Sequence, residues 1–159
     1  SQYLKMKKRT KNFPAIVLRF FLVYGPNQNN NKIVSHAIIS CLMNKKFYLS
    51  KGVQKRDYCY IDDATRAVFL ALKSKHSGEI INIGSGKPLT VRFLVNYIHK
   101  LIGKGQPVFG GIEYRKYENM QVYPNIKKAI IKLKWKPKVS LEKGIKLTVD
   151  YFKKFLKIA

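Results

Sequence analysis

Residues 15–23 are apolar at every position but Arg19, and a continuous β-branched and aromatic run of this kind after Pro14 predicts a strand buried on both faces. Tyr24-Gly25-Pro26 ends the run as a turn. After a polar loop over 27–31, Ile33, Ala37, Ile38, Cys41 and Leu42 recur at helical spacing, so a helix is expected over about 32–44. Short extended pieces are expected at 47–50 and 58–61, with a turn at Lys51-Gly52 between them. Ala64, Ala67, Val68, Leu70, Ala71 and Leu72 form one broad apolar helix face, capped by Asp62 or Asp63 and closed by Gly78. Residues 79–83 read as a further buried strand, followed by the turn Gly84-Ser85-Gly86. Thr90 opens a helix to 102 with Phe93, Leu94, Tyr97, Ile98 and Leu101 on its face. Beyond it, 112–114 is expected as a strand, 126–133 as a short helix and 141–156 as an amphipathic helix entered through Ser140. Strands alternating with helices predict an α/β fold with parallel strands.

Composition narrows this picture. At 159 residues and 46% apolar content the chain can bury one sizeable core. Its longest apolar runs fall short of a bilayer span, so no membrane segment is expected. Residues 1–13 are basic without the apolar stretch of a secretory signal, which favours a cytoplasmic location. Cys41 and Cys59 match no metal-ligand spacing and sit among apolar neighbours, where a reduced buried thiol is expected. His36, His76 and His99 are scattered without catalytic partners, and no metal site is expected.

The charge balance raises a rival reading. Thirty-two basic against 8 acidic side chains give a formal +24, which suits nucleic acid or another polyanion. Yet the lysines are spread along the whole chain on solvated helix faces, and no nucleic-acid motif accompanies them. The few arginines, whose forks grip phosphates better, sit inside motifs. No Walker loop, HExxH pair or nucleophile elbow occurs. Gly84-Ser85-Gly86-Lys87-Pro88 lacks the third glycine of a dinucleotide-binding turn.

Four blocks carry a resemblance: Leu18-Arg19-Phe20-Phe21-Leu22-Val23-Tyr24-Gly25-Pro26, Arg56-Asp57-Tyr58-Cys59-Tyr60-Ile61-Asp62-Asp63, Ile81-Asn82-Ile83-Gly84-Ser85-Gly86, and Trp135-Lys136-Pro137-Lys138-Val139-Ser140-Leu141-Glu142-Lys143-Gly144. In this order the chain resembles the C-terminal half of the extended short-chain dehydrogenases, the NAD-dependent epimerases, dehydratases and reductases of nucleotide sugars. The resemblance implies the C-terminal part of a Rossmann-type parallel sheet plus a small α/β substrate-binding domain. It assigns 15–27 and 62–102 to the sheet, and 28–61 and 103–159 to the substrate part. It also implies a fragment: the glycine-rich cofactor turn and the catalytic Tyr-x-x-x-Lys pair are expected upstream of Ser1, and no catalytic residue is expected within the chain. Tyr3-Leu4-Lys5-Met6-Lys7 fits that pattern formally, but lies too close to Leu18-Arg19 for the family and is read as coincidence.

By the same resemblance, Arg56 and Arg115 contact the diphosphate of a nucleotide sugar, with Lys32 and Asn82 assisting. Phe47 and Leu49 lie near the base, Ile33 near base or ribose, and Phe20 and Phe21 border the nicotinamide of NAD or NADP. A homodimer acting in activated-sugar or polysaccharide biosynthesis is implied, with no nucleic-acid partner. Plainer roles stand beside these: a surface ion pair for Arg56, core packing for one of the two phenylalanines, backbone pairing for Asn82, and capping for Asp62 or Asp63. Glu118 stands where relatives place a basic or aromatic contact, and falls outside the expected site. A basic polyanion-binding domain and a ligand-free structural remnant remain the competing functions.

Overall fold

The structure is a computed structural model that describes residues 2–158. In chain order its elements are α1 (Gln2–Lys11), β1 (Ile16–Phe20), β2 (Leu22–Tyr24), α2 (Ile33–Leu42), β3 (Lys46–Leu49), β4 (Lys55–Arg56), β5 (Tyr58–Tyr60) and α3 (Ile61–Leu72). They continue with β6 (Glu79–Ile83), β7 (Leu89–Thr90), α4 (Val91–Ile102), β8 (Gln106–Phe109), β9 (Gln121–Val122), α5 (Lys127–Leu133) and α6 (Leu141–Phe155). The chain forms two compact units that it enters alternately. The first combines the stretch up to Val23 with Asp57–Lys87 and Tyr123–Val139; the second combines Tyr24–Arg56, Pro88–Val122 and the stretch from Ser140 onward.

In the first unit β1 and β6 are parallel neighbours, with Ile16 opposite Glu79 and Phe20 opposite Ile83. The expected strand over 15–23 is divided. Phe21 still donates its N–H to the Ile83 carbonyl at 3.0 Å, but β2 beyond it pairs with β5 instead. A uniform apolar run carries no mark of such a change of partner. Ile81, Ile83, Cys59, Ala64, Ala67, Ala129, Leu133 and Trp135 form the buried cluster, flanked by Ile16 and Leu18. Burial pushes the Cys59 thiol up to about 12, so it behaves as a small apolar group.

Two expectations about α3 need correction. Asp62 and Asp63 lie in its first turn, while the N-cap is Tyr60 and no side chain caps it. Gly78 does not close the helix, which ends at Leu72. Gly78 adopts φ +76° and donates its N–H to Ala15 O at 2.7 Å, leading the chain into β6 beside β1. Asp63 instead turns inward: its carboxylate accepts N–H bonds from Lys138 and Val139 at 2.9 Å, and its carbonyl accepts the Trp135 indole N–H at 2.9 Å.

In the second unit β3 and β8 pair in parallel, Phe47 opposite Pro107. A separate three-stranded sheet has the order β7-β4-β9, antiparallel on one side of β4 and parallel on the other. The strand expected at 112–114 is absent; strands form at β8 and β9, and 112–114 belongs to the connection between them. Pro107 and the short length of β9 hide both from a pattern search. Helices α2, α4 and α6 pack together. On α4 the buried stripe is Val91, Leu94, Val95 and Ile98, whereas Phe93 and Leu101, expected on the inner face, are exposed. The helix is apolar over most of its circumference, so periodicity alone does not choose between neighbouring stripes.

Helix starts at Thr90 and Ser140 follow from local chemistry. Thr90 Oγ accepts from Phe93 N–H at 3.1 Å, and Ser140 Oγ accepts from Lys143 N–H at 3.2 Å. Ser140→Ala leaves that donor without its side-chain partner and should lower stability by about 1 kcal/mol. Chemical denaturation measures this directly, and an unchanged unfolding midpoint would show that solvent replaces the cap without loss.

Candidate functional site

The candidate ligand site of the second unit is organised around Arg56. It ends β4, the central strand of the three-stranded sheet, and both neighbouring strands are only two residues long. Pairing with β9 in parallel, reinforced by Lys55 N–H donating to Met120 O at 2.8 Å, lays the segment before β9 alongside Arg56. That segment carries Arg115 and Glu118. The Arg56 guanidinium donates to the Glu118 carboxylate and, through Nη1, to Lys55 O at 2.8 Å. Glu118 N–H in turn donates to Arg115 O at 3.0 Å, closing a tight turn. Arg56 is therefore half-buried and oriented, while Arg115 is exposed one turn from its acidic partner.

Sequence reasoning placed Glu118 outside the site, yet it is the carboxylate that fixes Arg56. The available signal was its rarity: it is one of 8 acidic residues, set just after Arg115 and Lys116. Tyr114 extends the arrangement, its hydroxyl accepting from Val53 N–H at 3.1 Å and donating to Gln54 Oε1 at 3.2 Å.

The other candidates of this unit divide by exposure. Lys32 is exposed at the start of α2, and Ile33 is half-buried in its first turn. Phe47 and Leu49 point inward, only 5% and 6% exposed, and the edge of the His36 ring meets Phe47 at 5.6 Å between centroids. The alternate residue Tyr48 is 51% exposed, so the solvent-facing side of β3 belongs to it.

In the first unit, Phe20 and Asn82 lie near the carboxyl ends of the parallel pair β1 and β6, where ligands bind in open α/β sheets. Phe20 is 41% exposed, whereas Phe21 and Asn82 are half-buried. The Gly84-Ser85-Gly86 turn after β6 is occupied from within. Ser85 donates its N–H to Asp57 Oδ1 at 2.6 Å and its hydroxyl to Asp57 Oδ2 at 2.9 Å, and Lys87 N–H donates to Ser85 Oγ at 3.0 Å. The buried Asp57 carboxylate takes both the N–H and the hydroxyl of Ser85, so these two donors of the GxG sequence are already engaged.

Tyr3 and Lys7 occupy successive turns of α1, with Lys7 Nζ 5.3 Å from the centre of the Tyr3 ring. Among the described residues, no three His, Cys, Asp or Glu are grouped to hold a metal ion, and no helix is long and apolar enough to cross a membrane.

A parallel sheet pair with a buried α/β flank defines part of a Rossmann-type α/β protein. Residues 1–84 match the NAD dependent epimerase/dehydratase family, and the chain belongs to that family. It is 34% identical to a putative UDP-glucose 4-epimerase of Methanocaldococcus jannaschii over 96% of its own length and 50% of that protein's. The crystal structure of UDP-glucose 4-epimerase from Thermotoga maritima with UDP-glucose superposes with a TM-score of 0.91 at 36% identity, covering 98% of this chain and 51% of that one. UDP-glucuronic acid 4-epimerase from Bacillus cereus, in complex with UDP-glucuronic acid and NAD, gives 0.88 at 30% identity over 97% of this chain and 50% of its own. Other relatives are dTDP-D-glucose 4,6-dehydratases and UDP-glucuronic acid decarboxylases. The chain thus spans about half the length of the relatives it matches.

Proposed function

We propose that this chain supplies the nucleotide-sugar-binding side of an NAD-dependent enzyme that epimerises, dehydrates or otherwise remodels an activated sugar for polysaccharide biosynthesis. The observation that carries the reading is the Arg56–Glu118 pair beside Arg115. A diphosphate is recognised best by guanidinium forks, and Glu118 holds one such fork in a single orientation before ligand arrives. Lys32 adds positive charge, Asn82 an amide donor and Ile33 apolar surface for ribose or base, while Phe47 and Leu49, nearly closed off from solvent, support β3 from within and do not meet the base directly. Phe20, exposed at the carboxyl end of β1, fits a flat nicotinamide ring, with Phe21 beside it. When bound, NAD or NADP would take up and return the hydride of the sugar. The residues of this chain bind and orient, so the chain alone is expected to show no turnover. A homodimer in the cytoplasm is part of the same proposal.

The +24 charge keeps polyanion binding as the competing reading. Titration of the full protein with UDP-glucose, dTDP-glucose and a duplex oligonucleotide over a salt series separates the two. Saturable sugar-nucleotide binding with modest salt dependence supports the proposal. Tight duplex binding that falls steeply with salt, without sugar-nucleotide binding, would replace it by the polyanion reading.

A further inference from the structure

Asp57 presents a problem in elementary electrostatics. Its side chain is fully buried, at 0% exposure, and among the described residues no cation lies within 4.0 Å of its carboxylate. Both oxygens are served by one residue, Ser85, through its N–H and its hydroxyl. A buried carboxylate with neutral partners alone is costly to keep, and packing in the interior is served as well by an apolar side chain. The surrounding geometry is correspondingly tight. A Cβ added at Gly84 would lie 2.6 Å from Asp57 Oδ1 and would also strike the Pro124 ring, so the turn closes on the carboxylate only with glycine at that place. The Lys87 N–H bond to Ser85 Oγ extends the clasp to the far end of the turn.

We propose that Asp57 is a positioning residue for nucleotide-sugar binding: its carboxylate acts as an internal anion that locks the 84–86 turn and thereby sets Asn82, next to the last residue of β6. The inference rests on the nucleotide-sugar reading given above. Its logic is one of place. Asn82 stands three residues before Ser85, so the clasp restrains a candidate ligand contact on the same short stretch of main chain. An asparagine at 57 preserves the shape but replaces one acceptor oxygen by a donor amide. With its amide oxygen toward Ser85 N–H, that asparagine gives neutral bonds in place of two charge-assisted ones, and the Ser85 hydroxyl turns to accept from the amide with only Lys87 O, at 3.4 Å, left to receive its proton, so the turn loosens.

The test uses the full protein that carries this chain, with UDP-glucose, dTDP-glucose and NAD as calorimetric probes. Asp57→Asn should weaken binding of the sugar nucleotide by about tenfold, the loss of one hydrogen bond to a charged acceptor, while NAD affinity stays within about twofold. Ser85→Ala keeps the N–H bond to Oδ1 and removes only the hydroxyl. It should cost about threefold in the same ligand alone, and it provides the measurement should Asp57→Asn fail to fold. A purely structural role predicts parallel loss for both ligands together with a lower unfolding midpoint, and that result overturns the proposal. Wild-type affinity for sugar nucleotide in a folded Asp57→Asn or in Ser85→Ala also overturns it, leaving the nucleotide-sugar reading intact. A wild-type protein that binds neither sugar nucleotide removes that reading itself, and the positioning role with it.

Discussion

Truncating Arg56 to alanine in the full protein should weaken nucleotide-sugar binding by about ten- to a hundred-fold, with NAD binding close to unchanged. The magnitude follows from a charge-assisted fork worth roughly 1.5–3 kcal/mol, and from Glu118, which would be left as a lone carboxylate facing an incoming dianion. Arg115→Ala should act in the same direction on the same ligand, because Arg115 stands in the turn that Glu118 closes. Arg56→Lys tests the geometry: lysine keeps the charge but presents no planar fork, so most of the loss should persist. Isothermal titration with UDP-glucose and NAD in parallel provides the check, since general unfolding would impair both. Unchanged sugar-nucleotide affinity in both alanine variants would mean that the arginines serve the surface of the second unit and not a ligand.

A second large effect should appear in stability. Asp63 is 2% exposed, and its carboxylate accepts from Lys138 N–H, Val139 N–H and the Arg66 guanidinium. Arg66 also donates to Lys136 O at 2.7 Å, so the 135–139 segment is held to α3 along its length. Asp63→Ala takes the carboxylate from three donors at once and strands the two main-chain N–H groups, while Arg66 keeps Lys136 O. The expected loss is about 2–5 kcal/mol, roughly 1–3 kcal/mol for each stranded main-chain donor. Asp63→Asn keeps the volume and some of the acceptors and should cost less than half as much. Urea unfolding gives the free energies, while emission from Trp135, fully buried with its indole N–H on Asp63 O, reports whether the segment detaches. A loss below about 1 kcal/mol in Asp63→Ala would show that water or a shifted Arg66 satisfies the segment equally well.

These two residues also mark the boundary between local and long-range information. Helices α4 and α6 were legible because their determinants lie within a few positions: Thr90 and Ser140 meet the N–H groups three residues on, and Gly103, with φ +73°, ends α4. The β1 and β6 segments were legible as strands because both are dense in β-branched residues, and their parallel pairing agrees with the strand and helix alternation. Family membership was legible from four ordered blocks spread between residues 18 and 144, and the family match over residues 1–84 agrees with it.

What pattern could not supply is which segments meet. Strands β4, β7 and β9 contain two residues each, too few for any periodicity, and exist only because three distant parts of the chain pair with one another. The Arg56–Glu118 pair depends wholly on that pairing across 62 positions. Asp63 had the residue type and place of a helix cap, and its true partners, 75 and 76 positions away, are main-chain donors that leave no trace in side-chain identity. Likewise the Gly84-Ser85-Gly86 string could be read only as a turn without the full dinucleotide-binding pattern, and nothing local to it announces Asp57, 28 positions earlier, as the acceptor of its Ser85 donors. By itself the sequence determined the local elements and the family, because capping, periodicity and block order act over short spans or survive as linear text. The tertiary structure alone decided which carboxylate answers which donor, because a buried polar group is costly without a partner, and that partner is chosen in space.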